Sequence, residues 1–307
     1  MPQTAHDARA LLDRCGLGEV ARVALLTRER NVVYQIRTTD DRCYTLRFRR
    51  GEVLSLRSAR MQQRWLAAIA RDTDVVAPTI VPLGGKPFRL DGDDTQAALF
   101  TWVDGRRARG ANGFVTPAKL RAVGVAVAKL HRHAERFRLR DTTDLRRFDV
   151  GFFFPADYSR LPARDRDLLK RLKQRTRRAL NELGESPRRV GLIHGDLGPA
   201  NWLFHRGAAR PIDFDEFGVG PFIFDLAQVL WTHSMWPRYD DYRRVLFEAY
   251  ESIRPLDEIE RRHVALFEAL ALLDWVNRGI RSDDRGSLKQ WLPPTMRRIR
   301  ALADTRP

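Results

Sequence analysis

Cysteine is nearly absent from this 307-residue chain, with Cys15 and Cys43 its two thiols. That excludes a disulfide framework and a thiolate metal cluster, and it fits a reducing compartment. No apolar stretch approaches the roughly 20 residues that cross a bilayer. The amino terminus, MPQTAHDARALLDRCG, lacks the basic start and apolar core of an export signal. The expectation is a cytoplasmic protein without membrane association. Internal repeats and low-complexity linkers are missing as well, which excludes solenoids and arrays. Acidic residues are few beside the basic ones: 39 Asp and Glu against 55 Lys and Arg, a formal charge of +16. Net charge argues solubility and non-specific binding rather than fold. The excess therefore reads either as an anionic partner or as the arginine bias of a GC-rich coding sequence.

What is present is enough for two cores. An apolar fraction of 43% over 307 residues exceeds what one core usually takes up. The chain is organised around VGLIHGDLGPANWLFHRGAARPIDFDEFGVGPFIFDLAQVL, residues 190–230. Three polar groups stand there just past apolar, strand-like runs: Asp196 and Asn201 after VGLI, and Asp213 after RPI. His194 to Asn201 fits the H-x-D-x-x-x-x-N catalytic loop of phosphoryl-transfer enzymes built like protein kinases, and Asp213-Phe214-Asp215 stands where those enzymes carry D-F-G. The spacing has a chemical reason. A carboxylate that takes a hydroxyl proton, Asp196, must lie one short turn from a neutral oxygen able to bind Mg²⁺, Asn201. A strand Asn201–Phe204, a turn at 205–208 and a return strand Ala209–Ile212 bring Asp213 beside Asn201. Mg²⁺ is normally shared with substrate phosphates, so one Asn and one Asp suffice as protein ligands.

The wording LIHGDLxxxNxLF followed by PIDFDEFGxGPxxFDLA resembles the aminoglycoside phosphotransferase and choline kinase-like family, across most of the chain. The resemblance implies a two-lobed, protein-kinase-like α+β fold. Residues 1–104 become a nucleotide-binding lobe with an antiparallel sheet, and residues 105–307 a larger, mainly helical lobe for catalysis and acceptor binding. It implies ATP and Mg²⁺ as cofactors, Asp196 as catalytic base and Asn201 and Asp213 as metal ligands. His194 and Asp225 support the loop.

Thr4 and Asp7 form a capping box for a helix to about Leu12 or Cys15. Strands are expected at Ala21–Leu26, Val32–Arg37 and Cys43–Arg49, where alternation puts Tyr44, Leu46 and Phe48 on one face and Thr45, Arg47 and Arg49 on the other. Residues 27–31, TRERN, occupy the place of a phosphate-covering loop yet contain no glycine. The resembled family often carries an E-N-x-x-Y segment here, which Arg30-Asn31-Val32-Val33-Tyr34 matches in all but the Glu, and by the resemblance Arg47 takes the place of the strand lysine that grips the nucleotide phosphates. A helix Ser58–Ala70 follows, with Gln62 where the partner Glu is expected. Gln62 bonds Arg47 without offsetting its charge, or is an exposed helix position while Glu29 or Glu52 substitutes. Further strands are expected at Val75–Val81, Pro87–Leu90 and Ala97–Trp102. In such a fold the last runs into a hinge, where backbone groups of Thr101, Trp102 and Val103 meet the adenine edge.

Thr116-Pro117 caps a helix whose stripe Leu120, Val123, Val127 and Leu130 runs to His131. His131 and His133 lie two apart and so do not share a face as a metal pair would. Residues 164–183 form a helix with Leu168, Leu172 and Leu183 inside and a strongly basic outer face. Helices are expected at 223–235, 241–253, 256–278 and 287–303, and in the resembled family this region builds the acceptor pocket, with Phe152, Phe153 and Phe154. The conclusion is a phosphotransferase acting on a hydroxyl of a small molecule or of a protein Ser/Thr. The alternatives are a catalytically inactive kinase-like binding protein and a basic nucleic-acid-binding protein. A charge of +16 without an acidic cluster argues against a polycationic acceptor and for a neutral or anionic one.

Overall fold

A computed structural model describes residues 5–13, 17–28, 31–50, 54–90, 95–108, 116–137, 139, 141–155, 157–159, 161–281 and 285–305. The chain divides into two compact units, Met1–Asp104 and Gly105–Pro307.

In the first unit, α1 (Ala5–Asp13) packs on β1 (Val20–Arg28), and Thr4 of the expected capping box lies outside the described residues. The strands β2 (Asn31–Thr38), β3 (Cys43–Arg50), β4 (Ile80–Val81), β5 (Arg89–Leu90) and β6 (Thr95–Thr101) complete an antiparallel sheet ordered β1-β2-β3-β6-β4, with β5 also on β6. Period-two alternation sets its core face. Val32, Tyr34 and Ile36 of β2 and Tyr44, Leu46 and Phe48 of β3 are buried with Leu11 and Leu12 of α1. Tyr34 meets Phe48 edge to face at 6.1 Å. Each such side chain contributes about 2–3 kcal/mol by leaving water.

Helix α2 (Leu56–Asp72) starts two residues before the expected position, because the Ser55 hydroxyl accepts from Ser58 N–H at 3.0 Å and caps it. Met61, Trp65 and Ile69 are buried as the period requires. The strands expected at 75–81 and 87–90 shrink to the two-residue β4 and β5. Pro78 and Pro82 bracket β4, and proline brings no N–H to a ladder.

In the second unit, the Thr116 hydroxyl caps α3 (Pro117–Arg136) at Lys119 N–H. The following elements are β7 (Arg146–Arg147), α4 (Val150–Phe153), α5 (Ala163–Leu183), β8 (Val190–Ile193), β9 (Trp202–His205), β10 (Ala208–Pro211), β11 (Gly218–Pro221), α6 (Phe222–Leu230), α7 (Tyr239–Glu251), α8 (Glu258–Arg281) and α9 (Arg285–Asp304). β9 and β10 form a hairpin, and β11 lies between β7 and β8 in a small sheet. Helix α6 is buried along its whole length, with α3, α7 and α8 packed around it. Phe153 and Phe154, expected near the acceptor, are buried, and Phe153 stacks edge-on against Phe224 of α6 and Phe267 of α8. On α5 the leucines point inward, while Arg164, Lys170, Arg171, Lys173, Arg177 and Arg178 are exposed. Among the described residues no helix is long and apolar enough to cross a membrane.

Candidate active site

Strand β8 ends at Ile193 and delivers His194, Gly195 and Asp196 into a loop tied down from below. The buried Asp225 carboxylate, on the first turn of α6, accepts His194 N–H at 2.9 Å and Gly195 N–H at 2.8 Å, one on each oxygen. Gly195 has φ 77°, and a Cβ there would sit 2.7 Å from the Glu216 carbonyl oxygen and against the Phe148 ring. Only glycine fits both the backbone and the space. His194 is buried; its Nδ1 accepts Asp196 N–H at 3.3 Å, which leaves Nε2–H to donate to the Ile212 carbonyl at 3.1 Å. The ring thus joins the Asp196 loop to the residue before Asp213.

Asn201 closes a short 3-10 turn, Pro199–Asn201, one residue before the strand begins. Its amide Nδ2–H group donates to the Asp196 carbonyl at 2.8 Å and to Asp196 Oδ2 at 3.1 Å. With the nitrogen engaged on Asp196, Asn201 Oδ1 is the face left for a cation. Ile212 N–H donates to the Asn201 carbonyl at 2.9 Å, continuing the β9–β10 hairpin so that Asp213 follows at once. Asp213 itself is left-handed, φ 66° and ψ 65°, a conformation costing a non-glycine residue about 1 kcal/mol or more. The structure therefore brings Asp196, Asn201 and Asp213 together through one loop and one hairpin. The donor set, one neutral carbonyl oxygen and one carboxylate, suits Mg²⁺ shared with phosphates. Among the described residues there is no group of three or more His, Cys, Asp or Glu that could hold a metal without such help, and none at His131 and His133.

Two pairings escaped the sequence reading, although His131 and Arg278 were each noticed singly. Below the loop, His131 Nε2 lies 3.2 Å from Asp225 Oδ2 and Nδ1 lies 2.9 Å from the Tyr250 hydroxyl, which in turn accepts from Arg254 Nη1 at 2.8 Å. Because Arg254 can only donate, the tyrosine O–H donates to Nδ1 and the imidazole N–H faces Asp225. Burial pushes the His131 pKa down despite Asp225, so the ring is neutral. Arg254 is fixed by Glu135 at 2.8 Å and Glu260 at 3.0 Å. The available signal was His131's place four residues after Val127, on the buried stripe. The second feature is Arg278 of α8, whose Nη2 lies 3.8 Å from Asp196 Oδ1 while its Nε donates to Asp274 at 3.0 Å. Burial pulls the Arg278 pKa down, and Asp274 and then Asp196 more than reverse it, so its charge is secure. No spacing rule links Arg278 to Asp196.

In the first unit, Arg47 is half-buried on β3 with its guanidinium 4.8 Å from the Phe100 ring centre. Gln62 is buried, 2% exposed, which excludes one of its two readings, the exposed helix position: α2 turns it inward with Met61 and Trp65. Thr27 and Arg28 belong to β1, and Asn31 opens β2 opposite Arg49, so three of the five expected loop residues are strand residues; Glu29, Arg30 and Glu52 lie outside the described residues. Thr101 N–H donates to Thr79 O at 2.9 Å and Trp102 N–H to Cys43 O at 3.3 Å. Those two hinge donors are occupied within the sheet.

The sequence model of the family described as "Phosphotransferase enzyme family" matches residues 24–297. The chain belongs to that family. This phosphotransferase is 37% identical over 99 residues to the homoserine kinase of Gluconacetobacter diazotrophicus, a match covering 28% of this chain and 31% of the relative. It spans, then, about a third of the length of that curated relative. Among solved structures, a microcompartment-associated aminopropanol kinase superposes with a TM-score of 0.76 at 23% identity, over 98% of this chain and 95% of the other. An amicoumacin kinase in complex with AMP-PNP, Ca²⁺ and Ami gives 0.77 at 17% identity, over 98% and 94%. These likenesses establish the kinase-like fold, with its antiparallel-sheet lobe and helical lobe.

Proposed function

We propose that this phosphotransferase moves the γ-phosphoryl group of ATP to a hydroxyl of a small molecule, with Asp196 as base. The observation that carries the reading is the pairing of Asp196 with Asn201, held from below by Asp225 and His194, with Asp213 next along the hairpin. In the step, the acceptor oxygen attacks the γ-phosphorus as the bond to the bridging oxygen of ADP breaks, and the hydroxyl proton passes to an Asp196 carboxylate oxygen. Asn201 Oδ1 and the Asp213 carboxylate would hold Mg²⁺, whose contribution is to offset charge on the phosphate oxygens. Asn201 positions the base by donating to Oδ2. Residues 1–104 would hold the nucleotide, with Arg47 on its phosphates and the Val103 peptide left to meet the base edge, since the Thr101 and Trp102 donors are bonded within the sheet.

Kinases named for homoserine and aminopropanol, both hydroxyl-bearing small molecules, and a neighbour holding AMP-PNP support this choice of acceptor and nucleotide. A protein Ser/Thr acceptor finds no such support. The test is acceptor-dependent ADP release from the wild type and from Asp196→Asn. Removing a general base should lower kcat by roughly 10²–10⁴-fold while ATP binding persists. Unchanged turnover in the variant would remove Asp196 from the role.

A further inference from the structure

The Asp196 carboxylate has a cationic neighbour that the chemistry of phosphoryl transfer to a hydroxyl does not require. Arg278 is held at one end: its Nε donates to Asp274 Oδ2 at 3.0 Å, and Gln228 Nε2 donates to the same oxygen at 3.3 Å. Asp274 is 4% exposed and Gln228 2%, so the anchor is rigid. The other end stands open. Among the described residues Arg278 makes no hydrogen bond besides that to Asp274, and its Nη2, at 3.8 Å from Asp196 Oδ1, is too far to bond the carboxylate directly. The four N–H donors on its two Nη atoms are therefore left for a ligand, and Nη2 stands toward Asp196, where the acceptor hydroxyl must come. A guanidinium fork matches a planar or tetrahedral anion, which it binds bidentately. Trp231 lies beside the loop, its Nε1 3.5 Å from where a Gly198 Cβ would be, and its ring centre is 5.3 Å from that of Trp275, which follows Asp274 on α8.

We propose that Arg278 is the specificity group of the acceptor site, and that the acceptor is a small hydroxy compound carrying a compact anion, a carboxylate or a phosphate. The inference rests on the reading of Asp196 as base, and it adds the charge of the substrate. An amino alcohol, bringing a cation to the Nη edge, would be repelled by Arg278.

The experiment uses acceptors of one carbon length in four forms: hydroxy acid, its primary amide, hydroxyalkyl phosphate and amino alcohol. Wild-type enzyme is compared with Arg278→Gln and Arg278→Lys, with ADP release and acceptor-independent ATP hydrolysis both recorded. Calorimetry adds binding of the deoxy carboxylate, which cannot react. For the wild type, kcat/KM for the hydroxy acid or the phosphate should exceed that for the amide by about tenfold to a hundredfold. The two anionic arms show which anion is used. Arg278→Gln should erase this preference, mainly through KM, and lose deoxy-carboxylate binding, while Arg278→Lys recovers part of both. A wild type that prefers the amide or the amino alcohol would overturn the inference and leave the kinase reading standing. So would an Arg278→Gln variant that slows every acceptor and water hydrolysis equally, which would assign Arg278 to the phosphoryl group. A wild type that phosphorylates none of these and hydrolyses no ATP would overturn both readings together.

Discussion

At the scale of single residues, the loop is held by groups that have no substitute. Gly195→Ala forces a left-handed alanine against Phe148 and the Glu216 carbonyl, and should cost roughly 2–4 kcal/mol. Urea unfolding would register this as a lower midpoint with an unchanged slope. Asp225→Asn should be comparably severe, because an amide cannot accept the Gly195 and His194 N–H groups on both of its heavy atoms. Asp196, Asn201 and Asp213 were legible in the sequence because H-x-D-x-x-x-x-N and the Asp after the returning strand are local patterns, whereas the support from Asp225 came only with the family resemblance. His131 and Asp225 are 94 residues apart, and His131 and Tyr250 are 119 apart. Nothing in local periodicity pairs them; only the folded chain does. The surface alternative for Gln62 fails for a related reason, since its chemistry suits a helix surface and its place in α2, beside Met61, decides otherwise.

At the scale of elements, α3, α6 and α7 share a core in which a neutral histidine is a structural member. His131 sits in α3 between Asp225 of α6 and Tyr250 of α7, and His233, just after α6, is likewise buried; burial lowers both pKa values. The sign follows from proton counting. Between the ordinary histidine value near ~6.5 and the lower folded value, the unfolded chain binds more protons, so stability is complete above that range and falls as pH falls through it. Each histidine should contribute a slope of up to about 1.4 kcal/mol per pH unit. Thermal unfolding followed from pH 7 to 5 should show this decline, and His131→Asn should make it shallower even though the variant starts less stable. The long strands and helices were readable from their period. The strands β4 and β5 were overestimated because apolar, β-branched composition at 75–81 outweighed the two prolines that prevent a full ladder.

At the scale of the whole molecule, charge is spread rather than concentrated. The basic face of α5 is solvated, with Lys170 3.5 Å from Asp167 in an exposed pair, and such pairs are worth little. Binding to a DNA duplex should be weak, sequence-independent and log-linear in salt; sequence preference persisting at 200 mM salt would contradict this. Nucleotide should act differently. ATP with Mg²⁺ at a hundredfold excess over its Kd stabilises by about 2.7 kcal/mol, which should raise Tm by roughly 4 °C in a protein of this size. Asp213→Asn, which tolerates the left-handed backbone, should abolish the metal-dependent part of that rise. Helix α8 has a further consequence. Glu260 in its first turn holds Arg254, from which the brace beneath the loop descends, while Arg278 stands at least three turns further on, beside Asp196. If Arg278 selects the acceptor as proposed, the two ends of one helix would carry separate tasks, and substitutions at the far end would redraw the molecule served while the loop is inherited intact.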